Sequence, residues 1–180
     1  RHLYQQSNNV HGQIKCLNQL GLIHVRHGDY EVAQQFYREG VDLTQQHPQA
    51  RNESAPLYYG LSIVNRQLGN YATATAHLQT ALALYRKVEN RQGEAQILTA
   101  LGAVAYMQRD YDQAEQFLQA SLPIQQMIGD RTGEGGSLMS LGQVTRSRGD
   151  YGKAAELIDQ AMIIFRAQGN RWWEKIGSNE

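Results

Sequence analysis

Side chains able to do chemistry are sparse in this chain, and only three groupings have a spacing that could carry a reaction or a ligand. His24 and His27 stand one helical turn apart and Asp29 follows; two imidazoles and a carboxylate so placed can hold a divalent cation. His24 falls on an inter-helix face and His27 at a turn, so the expected reading is a hydrogen-bonded packing histidine, and no metal site is assigned. Cys16, the single cysteine, has Lys15 beside it but no histidine placed to take its proton. It reads as a small buried thiol rather than a nucleophile. Gly133-Glu134-Gly135-Gly136 has the glycine content of a phosphate loop, yet no strand precedes it and no Lys-Ser/Thr follows. Nucleophile elbows, paired zinc histidines and dinucleotide fingerprints are absent as well. No catalytic residue, no cofactor and no enzymatic activity are therefore expected.

The elements that would position these residues follow from the whole chain. Among 180 residues, 17 Lys+Arg balance 17 Asp+Glu, which leaves no basic surplus for phosphates or anionic lipid, so neither nucleic acid nor a membrane is an expected partner. One cysteine makes no intramolecular disulfide, and with no long apolar run or leader-like start the expected location is cytoplasmic. An internal repeat then organises the rest. Gly28-Asp29-Tyr30, Gly69-Asn70-Tyr71, Arg109-Asp110-Tyr111 and Gly149-Asp150-Tyr151 recur about every 40 residues. Nine residues before each tyrosine stands Gly21, Ser62, Gly102 or Gly142, each preceded by leucine, and three residues after each stands an alanine.

Each copy reads as two helices. Tyr71, Ala74, Leu78, Ala81, Leu82 and Tyr85 form one stripe at helical spacing, repeated by Tyr151, Ala154, Ile158, Ala161, Met162 and Phe165. Leu17, Leu20 and Gly21, like Leu98, Leu101 and Gly102, face one side of the helix ahead. The small residues let helices approach closely. Arg91, Arg131 and Arg171 stand three residues before Glu94, Glu134 and Glu174, a spacing for surface ion pairs. Pro123, inside the third copy's second helix, predicts a kink there.

These residues resemble the tetratricopeptide repeat family. Its W-x2-L-G-x2-Y then A-x3-F pattern is matched at Leu20-Gly21, Leu101-Gly102 and Leu141-Gly142, and at Ala33 with Tyr37 and Ala114 with Leu118. Leu17, Tyr58, Leu98 and Leu138 stand at the tryptophan place, and the repeat is longer than the family's usual one, as in kinesin light chains, spindle-orienting adaptors and bacterial regulators. The resemblance implies an all-α helix-turn-helix repeat solenoid, a right-handed superhelix of about four repeats. The expected organisation is a single array over 1–180: residues 1–9 ending a preceding repeat, repeats at 10–49, 50–89, 90–129 and 130–169, and 170–180 opening a further or capping helix.

The resemblance also implies a concave groove lined by the first helix of each repeat. Helical geometry then turns inward the side chains opposite the packing stripe: Lys15, Asn18, Leu22 and Arg26; Tyr59, Ile63 and Arg66; Gln96, Thr99, Ala103, Tyr106 and Met107; Met139, Gln143 and Arg146. This lining is apolar and aromatic with four cations and no carboxylate, as an acidic peptide would require. The lysines and asparagines with which chaperone-binding members grip a terminal carboxylate are missing, Asn18, Leu22, Gly60, Ala103 and Met107 standing at their places. The expected function is thus a protein or peptide interaction scaffold within a larger signalling or regulatory protein. Small-ligand or signal-peptide sensing, and homo-oligomer formation through open ends with Trp172 and Trp173 as anchors, remain open beside it.

Overall fold

The computed structural model describes residues 9–168. Residues 1–8 of the expected segment 1–9, and the whole of 170–180 with Trp172 and Trp173, lie outside the described residues; Asn9 is the N-cap of the first described helix. Eight α-helices follow one another: α1 (Val10–His27), α2 (Tyr30–Gln46), α3 (Ser54–Gln67), α4 (Tyr71–Lys87), α5 (Arg91–Met107), α6 (Tyr111–Ile128), α7 (Arg131–Ser147) and α8 (Tyr151–Ala167). A single 3-10 segment, Pro48–Glu53, joins α2 to α3, and no strand occurs among the described residues. The chain divides after Asn90 into two compact units. In the first, the hairpins α1–α2 and α3–α4 stack through α2 against α3, with α1 beside α3; in the second, α5–α6 and α7–α8 stack through α6 against α7, with α5 beside α7. Each unit thus has the adjacent helix packing of an all-α helical repeat solenoid.

The recurring glycine explains why the hairpins close so tightly. At Gly21 a Cβ would lie 2.5 to 2.9 Å from ring atoms of Tyr37, at Gly102 it would lie 2.7 Å from Leu118 Cγ, and at Gly142 it would lie 2.7 Å from Ile158 Cγ1. In every case a large side chain from the second helix occupies the space a first-helix side chain would need. Tyr37 goes further and also lies over Gly60 of α3, so one ring joins three helices. Fully burying such a side chain contributes about 1.5 to 3 kcal/mol, against about 1 kcal/mol for a glycine within a helix. Insertion wins. At the second repeat, Ser62 takes the glycine position and turns its hydroxyl onto the Tyr59 carbonyl oxygen, 2.6 Å away. Around these contacts lie Ile14, Ala33, Val41, Leu57, Leu61 and Val64 in the first unit. Ala105, Ala114, Leu141 and Val144, together with Leu138, Ala161, Ile164 and Phe165, fill the second.

The turns are local chemistry. Asp110, Asp130 and Asp150 each accept a hydrogen bond from the backbone N–H three residues on, capping α6, α7 and α8. Asp29 does not cap α2, because its carboxylate turns to His24. Gly28, Gly69 and Gly149 take positive φ ahead of the capping residue, whereas the third copy places Arg109 there at φ 62°. A side chain in that conformation costs roughly 1 to 2 kcal/mol.

Helix α6 runs without interruption through Pro123, which is exposed, as is Gln119, whose carbonyl loses its amide donor to the proline and is left to water. One expectation changes. The Arg–Glu pairs are not simple surface pairs: Glu94 and Glu134 are each 5% exposed. Arg91 Nη1 donates to Glu94 at 2.8 Å, and Gln126 Nε2 donates to Glu134 at 3.0 Å across the turn. Each carboxylate is thus held inside the first turn of its helix, where the backbone N–H groups favour it.

Two substitutions test the packing rule and one tests the turn. Gly102→Ala should destabilise the chain by about 1 to 3 kcal/mol through overpacking. Gly136→Ala, where a Cβ meets nothing within 4 Å, should stabilise by up to about 1 kcal/mol. Arg109→Gly should stabilise by about 1 kcal/mol. Urea unfolding followed by circular dichroism reads all three, and equal effects at Gly102 and Gly136 would contradict the insertion account.

Candidate functional site

The face at issue belongs to the first helix of each hairpin, the side turned away from the buried Leu-Leu-Gly stripe. In the first unit, α1 leaves Lys15 and Arg26 exposed and Asn18 and Leu22 half-buried, while beside it α3 holds Tyr59, Ile63 and Arg66 half-buried. In the second unit, α5 and α7 lie side by side with Gln96, Gln143 and Arg146 exposed and Tyr106 half-buried. Tyr106 is held in place: its hydroxyl lies 3.2 Å from Ser147 Oγ on α7, and its ring packs on Tyr111 with centroids 5.8 Å apart. Ala103 remains partly open beside it and Met107 is 45% exposed.

Two members of the expected face have other employment. Thr99 directs its hydroxyl into the seam between α5, α6 and α7, donating to Ala95 O at 3.0 Å, accepting from Gln125 Nε2 at 3.2 Å and lying 3.1 Å from Ser137 Oγ. Ser137 in turn lies 3.0 Å from Ser121 Oγ. Met139 packs on the Leu138, Ala161, Ile164 and Phe165 cluster. Pattern reading did not anticipate this buried polar seam. A signal was present, since Ser121 and Gln125 stand where the neighbouring repeats place Ala81 with Tyr85 and Ala161 with Phe165.

The electrostatics of the face are one-sided. Arg91 and Arg131 are paired with Glu94 and Glu134, and Arg148 bridges Asp112 and Glu115 of α6. Lys15, Arg26, Arg66 and Arg146, all on the first helices, have no carboxylate partner among the described residues. In the first unit Tyr59 also lies close enough to Tyr37 and Tyr85 to disfavour their ionisation. Burial, then Tyr59, pushes the Tyr37 hydroxyl up to about 12 and raises that of Tyr85. Tyr37 and Tyr85 therefore stay protonated at any ordinary pH.

The other chemical groupings resolve structurally. His24 Nδ1 lies 3.2 Å from Asp29 Oδ2 and its ring stacks on Phe36 with centroids 5.3 Å apart. His27 is exposed at the turn. No cluster of three or more metal-ligating side chains occurs among the described residues. Cys16 is half-buried with a free thiol. Gly133, Gly135 and Gly136 lie inside the first turns of α7 rather than in a loop. No helix among the described residues is long and apolar enough to cross a membrane.

Two family models described as tetratricopeptide repeat match residues 14–47 and 53–127, together more than half of the chain. Among solved structures, BtubC (BKLC) from P. vanneervenii superposes with a TM-score of 0.79 at 22% identity, over 87% of this chain and 64% of its own. Aspartyl phosphate phosphatase F from Bacillus subtilis gives 0.83 at 13% identity, over 88% and 42%. PilF from Pseudomonas aeruginosa gives 0.72 at 22% identity, over 87% and 63%. The chain thus spans less than two thirds of the length of each, and at these identities the likeness is one of fold. No curated protein matches the chain significantly in sequence.

One titration can be predicted from the first unit. His77 of α4 lies with its ring 5.8 Å from that of Tyr58, and burial, then the Arg38 guanidinium, lowers its pKa from 6.5. The unfolded chain therefore binds a proton near pH 6.5 that the folded chain refuses, so stability falls as pH drops through that value and levels off below the folded pKa. The urea midpoint should drop less between pH 7.5 and pH 5 in His77→Gln than in the unsubstituted chain. Equal drops would remove the assignment.

Proposed function

The chain belongs to the tetratricopeptide repeat family, and from that membership we propose that it is a non-catalytic interaction scaffold whose first-helix faces bind an acidic segment of a partner protein. Family membership supports the scaffold reading; the observation that carries the acidic preference is the charge pattern. Arg91, Arg131 and Arg148 are matched to carboxylates, while Lys15, Arg26, Arg66 and Arg146 are left unmatched on faces that carry no carboxylate of their own. A partner rich in Asp and Glu supplies the missing charge, and Tyr59, Tyr106 and Leu22 supply apolar surface for its other side chains. The cations spaced along α1 and α3 of the first unit favour a peptide or protein segment over a compact small ligand.

The repeats organise as units at 10–49, 50–89, 90–129 and 130–169 within a cytoplasmic signalling or regulatory protein, in which this chain is the recognition part. Bacillus subtilis aspartyl phosphate phosphatase F shares the fold at 13% identity, so the fold by itself decides no activity. The non-catalytic reading rests on the chemistry of the side chains: His24 packs on Phe36, His27 is exposed at a turn, and Cys16 has no histidine placed to take its proton.

The test is a comparison of partners captured from a lysate by the unsubstituted chain and by Lys15→Glu/Arg26→Glu/Arg146→Glu. All three sites are exposed, so the variant should keep its helicity. Captured partners should carry acidic segments, bind more weakly as salt is raised, and fall by about tenfold or more in the variant. Identical partner sets for the two proteins would refute binding through this face.

A further inference from the structure

Arg66 differs from the other unmatched cations. Lys15, Arg26 and Arg146 are exposed, where water solvates the charge, whereas Arg66 is half-buried on α3 and its Nε is fully enclosed with no acceptor. Its two Nη nitrogens are not enclosed in this way, and no carboxylate or other hydrogen-bond acceptor engages the guanidinium. Enclosing an N–H donor without an acceptor is unfavourable, so the sealed Nε is a feature that the fold keeps at a cost.

The enclosure also selects a geometry. A guanidinium can meet an oxyanion side-on, through Nε and one Nη, or end-on, through the two Nη groups. With Nε sealed, only the end-on fork is open. Its two parallel N–H donors match the two oxygens of a carboxylate. Ile63 and Tyr59, three and seven residues earlier on α3 and likewise half-buried, place apolar and aromatic surface on the same helical stripe, where a charge-assisted hydrogen bond is less weakened by water.

We propose that Arg66 is the anchoring subsite of the chain: a carboxylate from an acidic side chain or chain terminus of the partner binds end-on to its two Nη nitrogens, flanked by Tyr59 and Ile63. The proposal rests on the reading of the first-helix face given above and narrows it to one residue and one binding mode. Lys15 and Arg26 of the same unit act through long-range attraction, and Arg66 sets the register.

The experiment is an NMR titration of the whole chain, following the Arg66 guanidinium signals with octaglutamate, octalysine and inorganic phosphate at matched ionic strength. Octaglutamate should move the Arg66 signals saturably and octalysine should not. Arg66→Lys should weaken octaglutamate about tenfold, because an ammonium keeps the charge and loses the fork. Arg66→Met should lose the anchored mode without lowering the thermal midpoint, since the free chain has no Arg66 pairing to lose. Stationary Arg66 signals, unchanged affinity in Arg66→Met, or a large fall in its thermal midpoint would each overturn the subsite. Phosphate saturating Arg66 at lower concentration than octaglutamate would overturn the carboxylate assignment. If Arg66→Met binds octaglutamate normally while Lys15→Glu/Arg26→Glu/Arg146→Glu does not, the subsite falls and the acidic face stands; if neither variant changes binding, both fall.

Discussion

The insertion of a second-helix side chain over a first-helix glycine is the contact on which the rest of the structure depends. Tyr37 over Gly21, Leu118 over Gly102 and Ile158 over Gly142 set how closely three of the four described hairpins close, and Tyr37 over Gly60 carries the same device from one hairpin to the next. Close approach consumes one face of every first helix, and the second helix of the same hairpin fills it. The opposite face of that first helix is then left without a partner inside its own repeat. An open surface is thus a by-product of how the hairpin is built, and its side chains are released from packing.

Charge follows the same division. Where a carboxylate is buried, as at Glu94 and Glu134, an arginine three residues earlier and the helix N-terminus hold it. Arg148 ties the end of α7 to Asp112 and Glu115 of α6. These pairs fasten turns and neighbouring helices. The cations of the first-helix faces fasten nothing within the chain, and Arg66 goes so far as to seal its Nε without an acceptor.

The second unit shows that repeats of one plan need not share one interior. Thr99, Ser121, Gln125 and Ser137 form a hydrogen-bonded seam, whereas the first unit closes with Tyr37, Leu57 and Leu61. Hydroxyl and amide groups in such a seam must meet each other in particular orientations, while apolar side chains need only fill the volume. The seam therefore fixes the register of α5, α6 and α7 through directional bonds. It also withdraws Thr99 from the face on which its helical position alone would put it.

The amino-acid sequence by itself determined the helical hairpins, the turns that join them and the glycines on which they close, because each depends on local hydrogen bonding and on a short apolar period. Asp110, Asp130 and Asp150 cap as their spacing requires, and His24 packs on Phe36 with its imidazole turned to Asp29. Lys15, Arg26, Gln96, Gln143 and Arg146 remain exposed as helical geometry anticipates. What only the tertiary structure decided lies at the edges of each stripe, where a residue is inside or outside according to the position of a neighbouring helix. Thr99 and Met139 turned to packing, Glu94 and Glu134 became buried, and Pro123 proved compatible with an unbroken α6. The half-enclosed state of Arg66 belongs to the same class. A helical period resolves a direction to within a turn, whereas burial is settled by side chains arriving from elsewhere in the chain.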